Sequence, residues 1–210
     1  MPPVVTEVKK LNGCRQIAFG DGTSLRVPEA MYWDFRVRAG DPVDRAHYEK
    51  QLAAHYEEYA LDRAGRALAA HDMTEAQLRS KLLTAGYPEE TVARVMEVLT
   101  RYDFVSDERY AERYVSGRSS RYGRGRILRE LRFKGVSEET AKEALEDLPE
   151  EDEREAALRQ ARKLCARRDL ADPAERRKAA AALARRGFSW DIVSGVLSEI
   201  SDEETEAEEP

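Results

Sequence analysis

The sequence is poor in the residues that small-molecule chemistry uses: two cysteines and two tryptophans, with three histidines, in 210 residues. Cys14 and Cys165 lie far apart with no CxxC around either. This argues against a disulfide scaffold or a cysteine metal cluster, and the expectation is a reduced, cytoplasmic chain. His47, His55 and His71 share no metal-ligand spacing, and no nucleophile, base and orienting group stand together. No catalytic residue, metal or cofactor is therefore expected, and the chain is expected not to be an enzyme. Asp21-Gly22-Thr23 reads as a turn. Gly123-Arg124-Gly125 lacks the preceding strand and the lysine that a nucleotide-phosphate loop needs. No stretch approaches the roughly 18 apolar residues of a membrane span. The opening Met1-Pro2-Pro3-Val4 lacks the basic-then-apolar pattern of a secretion signal, so no membrane partner is expected.

Charge is abundant: 36% of residues are Asp, Glu, Lys or Arg, against about 25% in ordinary domains. The net charge of −6 at first argues against a nucleic-acid partner. It conceals blocks. Residues 109–134 carry nine basic and two acidic groups, and residues 159–186 carry ten and three. Residues 138–155 carry ten acidic groups against Lys142 and Arg154, and residues 199–210 carry seven with no basic group. With a screening length of about 8 Å at physiological salt, such blocks act locally rather than as an average.

The first 50 residues differ from the rest. Val4–Leu11, Arg15–Phe19 and Ser24–Val27 read as strands of a small hairpin or three-stranded sheet turning at Asp21-Gly22. Pro28-Glu29 opens a short helix through Phe35, and Gly40-Asp41-Pro42 is a break. From Asp44 the pattern is helical, and it repeats. Gly86, Gly135 and Gly187 are spaced 49 and 52 residues apart. Leu82, Leu131 and Leu183 stand four before them; Tyr87, Val136 and Phe188 one after; Leu99, Leu148 and Ile200 thirteen after. Three matched registers predict three tandem three-helix units in a mainly α, elongated and curved body. The expected segments are a β region over 1–50, repeats over 51–105, 106–150 and 151–200, and a disordered acidic tail over 201–210. Each glycine sits just past a second helix, where a left-handed turn suits it alone. Thr74 to Gln77 has capping-box spacing.

The basic blocks are the candidate partner-binding residues. In the second unit they are Arg118, Arg121, Arg124, Arg126, Arg129, Arg132 and Lys134, with Phe133 among them. At 100° per residue Ile127, Leu128 and Leu131 share one face, while Arg126, Arg129 and Phe133 fall on the outer one. Thr84 and Arg185 occupy the positions equivalent to Phe133, which supports exposure. An exposed aromatic among arginines suits an interface anchor or a base-stacking site. The third unit offers Arg167, Arg168, Arg176, Arg177, Lys178, Arg185 and Arg186. A helix-turn-helix reading, with third helices entering the major groove, meets Glu89-Glu90, Glu138-Glu139 and Asp191 at those helix starts. Carboxylates there would face phosphates.

The succession Thr74-Glu75-Ala76-Gln77-Leu78-Arg79-Ser80-Lys81-Leu82 with Gly86, Ser106 to Tyr114, Arg118, Gly123 to Val136, and Lys178, Leu183, Arg186-Gly187-Phe188 resembles the RecX family of recombination regulators. The resemblance spans about residues 4–200, and the N-terminal hairpin is similar to that of the family's longer branch. Asp103 departs from it where the family has glycine, and His71-Asp72-Met73 replaces a more basic run. The resemblance implies binding along the helical groove of the filament of RecA protein on single-stranded DNA, inhibiting its ATP hydrolysis and strand exchange or limiting filament growth; the chain is expected to be a monomer. The alternatives are a direct DNA-binding protein of repressor type and an adaptor with a purely protein partner.

Overall fold

The computed structural model describes the backbone of residues 3–166 and 170–208, and side chains as far as residue 203. It divides into two compact units, residues 1–106 and 107–210.

The first unit opens with three antiparallel strands in the order β1-β2-β3: β1 (Val5–Lys10), β2 (Cys14–Phe19) and β3 (Ser24–Pro28). Ile17 pairs with Val8 on one side and Leu25 on the other, and a bulge lies between Val5 and Glu7. The β2–β3 turn closes through Asp21, whose carboxylate accepts from the Thr23 backbone N–H at 2.9 Å and from its hydroxyl at 2.6 Å. The short helix α1 (Glu29–Asp34) leads to α2 (Arg45–Ala53), which Asp44 caps by accepting the His47 N–H.

The first three-helix repeat follows: α3 (Tyr56–Ala70), α4 (Glu75–Thr84) and α5 (Glu89–Arg101). Thr74 and Gln77 form the reciprocal capping box expected from their spacing. The sheet does not stand apart from the helices, although residues 1–50 read as a separate segment in sequence. Ile17, Val27, Met31 and Leu52 share one buried core with Leu78, Leu82 and Leu99. Gly86 explains the close fit: its φ is +89°, and a Cβ there would lie 3.0 Å from the Cys14 Cβ.

The second unit holds two repeats. One comprises α6 (Asp107–Arg118), α7 (Arg124–Phe133) and α8 (Glu138–Glu146); the other comprises α9 (Glu150–Cys165), α10 (Pro173–Arg185) and α11 (Trp190–Glu208). Within each of the three repeats the three helices pack pairwise. The positions matched in sequence all point inward. Leu82, Leu131 and Leu183 are fully buried, as nearly are Tyr87, Val136 and Phe188, and Leu99, Leu148 and Ile200. Gly135 and Gly187 have φ of +94° and +88°, as the left-handed turn requires. The end of α5 shows the same turn without glycine. Asp103 takes φ +57° and the Phe104 N–H reaches back to the Leu99 carbonyl at 2.8 Å. Aspartate is among the few residues that enter this region at modest cost, which resolves the departure at this position.

One expectation is corrected. The acidic segment after residue 200 is not irregular in its described part, because α11 continues to Glu208. No glycine or proline interrupts it over 196–208, and Glu and Ala are good helix formers. Arg162 on α9 pairs with Glu203 on this extension at 2.7 Å. Among the described residues no helix is long and apolar enough to cross a membrane.

Candidate interaction surface

The candidate residues of the second repeat gather on α6, α7 and the turn between them, around tyrosines. Tyr110 and Tyr114, one helical turn apart on α6, stack with ring centres 6.0 Å apart and planes 17° from parallel. The Arg118 guanidinium lies 5.2 Å from the Tyr114 ring centre and 5.6 Å from that of Tyr122. Arg126 lies over Tyr122 at 4.0 Å, and the Lys134 ammonium is 5.3 Å from the Tyr114 ring. Each such cation–ring contact is worth about 0.5–1 kcal/mol at an exposed site, so together they hold the long basic side chains in place.

Glu130 ties this layer together. It accepts from the Tyr114 hydroxyl at 2.6 Å and from Arg126 Nε at 2.8 Å. Burial pushes the Glu130 carboxyl up, but the Tyr114 and Arg126 hydrogen bonds outweigh it and hold the group below the ordinary carboxylate range. Burial, joined by the same hydrogen bond seen from the other side, pushes the Tyr114 hydroxyl up to about 12. Arg126 is thus half-buried and engaged, and it does not stand free on the outer face that helical periodicity assigns to it. A helical wheel treats each residue alone, whereas Tyr122 and Glu130 draw this side chain onto the protein.

Arg124 is held more firmly still. Its Nε donates to Glu153 Oε2 at 2.9 Å, its backbone N–H donates to Glu153 Oε1 at 2.9 Å, and its guanidinium also reaches the Leu148 carbonyl. Glu153 is 4% exposed. The Arg124 side chain keeps a third of its surface in solvent, but the residue's three bonds to Glu153 and Leu148 mean that it first of all joins the second repeat to the third. The glycines on either side of it serve the same junction. The Gly123 N–H donates to the Arg186 carbonyl at 3.0 Å and the Gly125 N–H to the Gly187 carbonyl at 3.1 Å. The motif that resembles a phosphate loop is a backbone-to-backbone docking site between repeats.

Arg129, Arg132 and Phe133 remain on the exposed side of α7, and Phe133 is 94% exposed. Arg132 pairs with Glu138 at 3.2 Å. Arg121 is exposed in the α6–α7 turn. In the third repeat Arg176 donates to the Ser198 hydroxyl at 2.9 Å, Lys178 pairs with Glu175 at 2.7 Å, and Arg186 donates to the Ala182 carbonyl at 3.4 Å. Arg177 and Arg185 are exposed. Arg167 and Arg168 lie outside the described residues.

The structure brings the Arg185 side chain of the third-repeat set to the second-repeat set. Arg185 lines a groove of about 470 Å³ together with Tyr114, Arg126, Arg129, Phe133 and Lys134. Arg176 to Lys178 sit at the other end of α10, about 10–14 Å away along the helix axis. The residues that sequence reasoning missed are the tyrosines and the two glutamates, Glu130 and Glu153. The tyrosines were readable: Tyr110, Tyr114 and Arg118 follow one another at i, i+4 spacing, which stacks them on one helix face. Glu153 was not, because its partner lies 29 positions away.

These features define a class: a helical-repeat protein bearing a basic, aromatic-bearing surface set on repeat cores. Three family models match in tandem, described as the first, second and third three-helix domains of RecX, over residues 60–99, 106–145 and 150–197. The chain belongs to the RecX family. It is 36% identical over 165 residues to "Regulatory protein RecX" of Mycobacterium sp. (strain JLS), covering 75% of this chain and 86% of that one. It is 34% identical to the protein of the same name from Clostridium acetobutylicum, covering 69% of this chain and 70% of that one. The crystal structure of RecX from Lactobacillus salivarius superposes with a TM-score of 0.65 at 25% identity, covering 71% of this chain and 98% of that one. A second RecX crystal structure matches with a TM-score of 0.64 at 25% identity over 92% of this chain and 98% of that one.

Proposed function

We propose that this protein regulates homologous recombination by binding the filament of RecA on single-stranded DNA and lowering its ATPase and strand-exchange activity. The observation that carries this reading is the exposed side of α7, where Arg129 and Phe133 stand clear of the repeat core beside Arg185. Membership of a family whose members are named regulatory proteins supports it. A protein–DNA filament offers both acidic protein surface and phosphates to such a face, while the acidic blocks at 138–155 and 199–210 weaken attraction to naked DNA.

Insertion of the third helices into a duplex major groove is disfavoured by the same geometry. Glu89 is held by Arg79 at 2.8 Å, and Glu138 by Arg132 and Lys142, so carboxylates occupy the helix starts that would meet the DNA.

The test is RecA ATP hydrolysis on single-stranded DNA with the purified protein. Hydrolysis should fall with added protein; no change at several-fold excess over RecA overturns the reading. Arg129→Glu with Arg185→Glu should relieve the inhibition while leaving helicity and melting unchanged, because both side chains are exposed.

A further inference from the structure

The groove beside Phe133 has a composition that a generic protein contact does not need. We infer that it is a subsite for one nucleotide of single-stranded DNA, with the base stacked on Phe133 and the adjoining phosphates held by Arg129 and Arg185. This deepens the proposed function, and rests on it only for the presence of single-stranded DNA at this surface.

Three observations carry the assignment. Phe133 is 94% exposed, more than any other large apolar side chain described, and borders a concave space of about 470 Å³. A fully solvated phenyl ring offers a flat face that any base can cover, whatever its sequence. The cations come from two elements, Arg129 from α7 and Arg185 from α10, and no carboxylate contact is found for either among the described residues. Arg126 and Lys134 add positive charge at the floor, where they lie over Tyr122 and Tyr114. The one carboxylate lining the groove, Glu130, is already occupied by Arg126 and Tyr114, which lessens its repulsion of a phosphate.

Two positive groups beside one exposed ring match the alternation of phosphate and base in a nucleotide chain. The chain must be single-stranded, because in a duplex the faces of the bases are covered by their neighbours. The docking of Gly123 and Gly125 on Arg186 and Gly187 sets where Arg185 stands relative to Phe133, so the subsite depends on the junction between repeats.

The experiment is fluorescence anisotropy of the full-length protein with a labelled oligo-dT of about 15 nucleotides, within the usual site sizes for single-strand binders. Phe133→Ala should weaken binding about 5- to 150-fold, the value of one base–aromatic stack, without changing the dependence on salt. Arg129→Gln with Arg185→Gln should lower the slope of log affinity against log salt by about 0.7 for each phosphate no longer neutralised. Phe133→Trp should keep the affinity, and its added fluorescence over that of the wild-type chain should be quenched by the oligonucleotide. Lys50→Gln, an exposed change on α2 outside both basic sets, should do neither.

The assignment is overturned if Phe133→Ala binds as the wild type does, or if duplex DNA of equal length competes as well as the oligonucleotide. Equal competition by polyglutamate also overturns it, making the groove a site for acidic protein. Failure to bind the oligonucleotide alongside intact RecA inhibition removes this inference and leaves the filament reading standing; the reverse pattern removes the filament reading alone.

Discussion

Replacing Gly123 by alanine should undock the third repeat from the second. The local backbone does not object: Gly123 has φ −77° and ψ 164°, extended values that alanine adopts freely. Alanine would even restrict the unfolded chain, a gain of about 0.4–1 kcal/mol. The obstacle is tertiary. A Cβ at residue 123 would sit 2.5 Å from the Gly187 carbonyl carbon and oxygen and from the Phe188 nitrogen. All three are backbone atoms, so no rotamer change relieves the clash. Relief requires the α10–α11 turn to move away, and that motion breaks the bonds from Gly123 to Arg186 and from Gly125 to Gly187. Overpacking costs about 1–3 kcal/mol and each broken hydrogen bond about 0.5–1.5 kcal/mol, so a net loss of about 1–5 kcal/mol is expected after the chain-entropy gain. This is a large part of the 5–15 kcal/mol or so that a domain possesses. Urea unfolding followed by circular dichroism gives the loss, and hydrogen exchange at the amides of residues 123 and 125 locates it. Gly117→Ala is the control. Nothing lies within 4 Å of its added methyl and it stands inside α6, so it should stabilise by about 0.5–1 kcal/mol. If Gly123→Ala unfolds at the wild-type urea concentration with both amides still protected, the account of the junction is wrong.

Two further predictions concern charge. Glu130 is held below its ordinary carboxylate range in the folded state, so its contribution is full above about pH 4.3 and fades as pH falls through the lowered folded value. Tyr114 is raised to about 12, so its contribution is full below about pH 10 and is lost between there and pH 12. Glu130→Gln should flatten the acid limb of stability against pH, and Tyr114→Phe the alkaline limb; parallel curves for variant and wild type would show that neither group is linked to folding. Deleting residues 201–210 removes six acidic groups and the Glu203 partner of Arg162. The truncated chain should bind oligo-dT more tightly at about 0.05 M salt, with the gain shrinking towards about 0.3 M as screening shortens. A gain independent of salt would refute an electrostatic role for the tail.

Much of the architecture was legible in the chain because it rests on local rules. The period of about 50 residues carries its own register, and every leucine four places before a repeat glycine is buried. The left-handed φ values at Gly86, Gly135 and Gly187, the Thr74–Gln77 box and the hairpin at Asp21-Gly22 are properties of a few neighbouring residues. The candidate surface was legible only in part. Phe133 could be placed on the exposed side from periodicity, but the arginines around it could not be sorted.

Sequence alone determined the three-helix repeats, their cores and the charge blocks, since these follow from spacing along one chain. Tertiary structure decided which basic side chains are spoken for. Arg124 is held by Glu153, 29 positions away, Arg126 by Glu130 and Tyr122, and Arg185 is carried to Phe133 by a glycine–glycine approach between repeats. The physical reason is distance. Helix periodicity acts within one turn, whereas a guanidinium takes whichever carboxylate or ring the packing of a distant segment sets beside it.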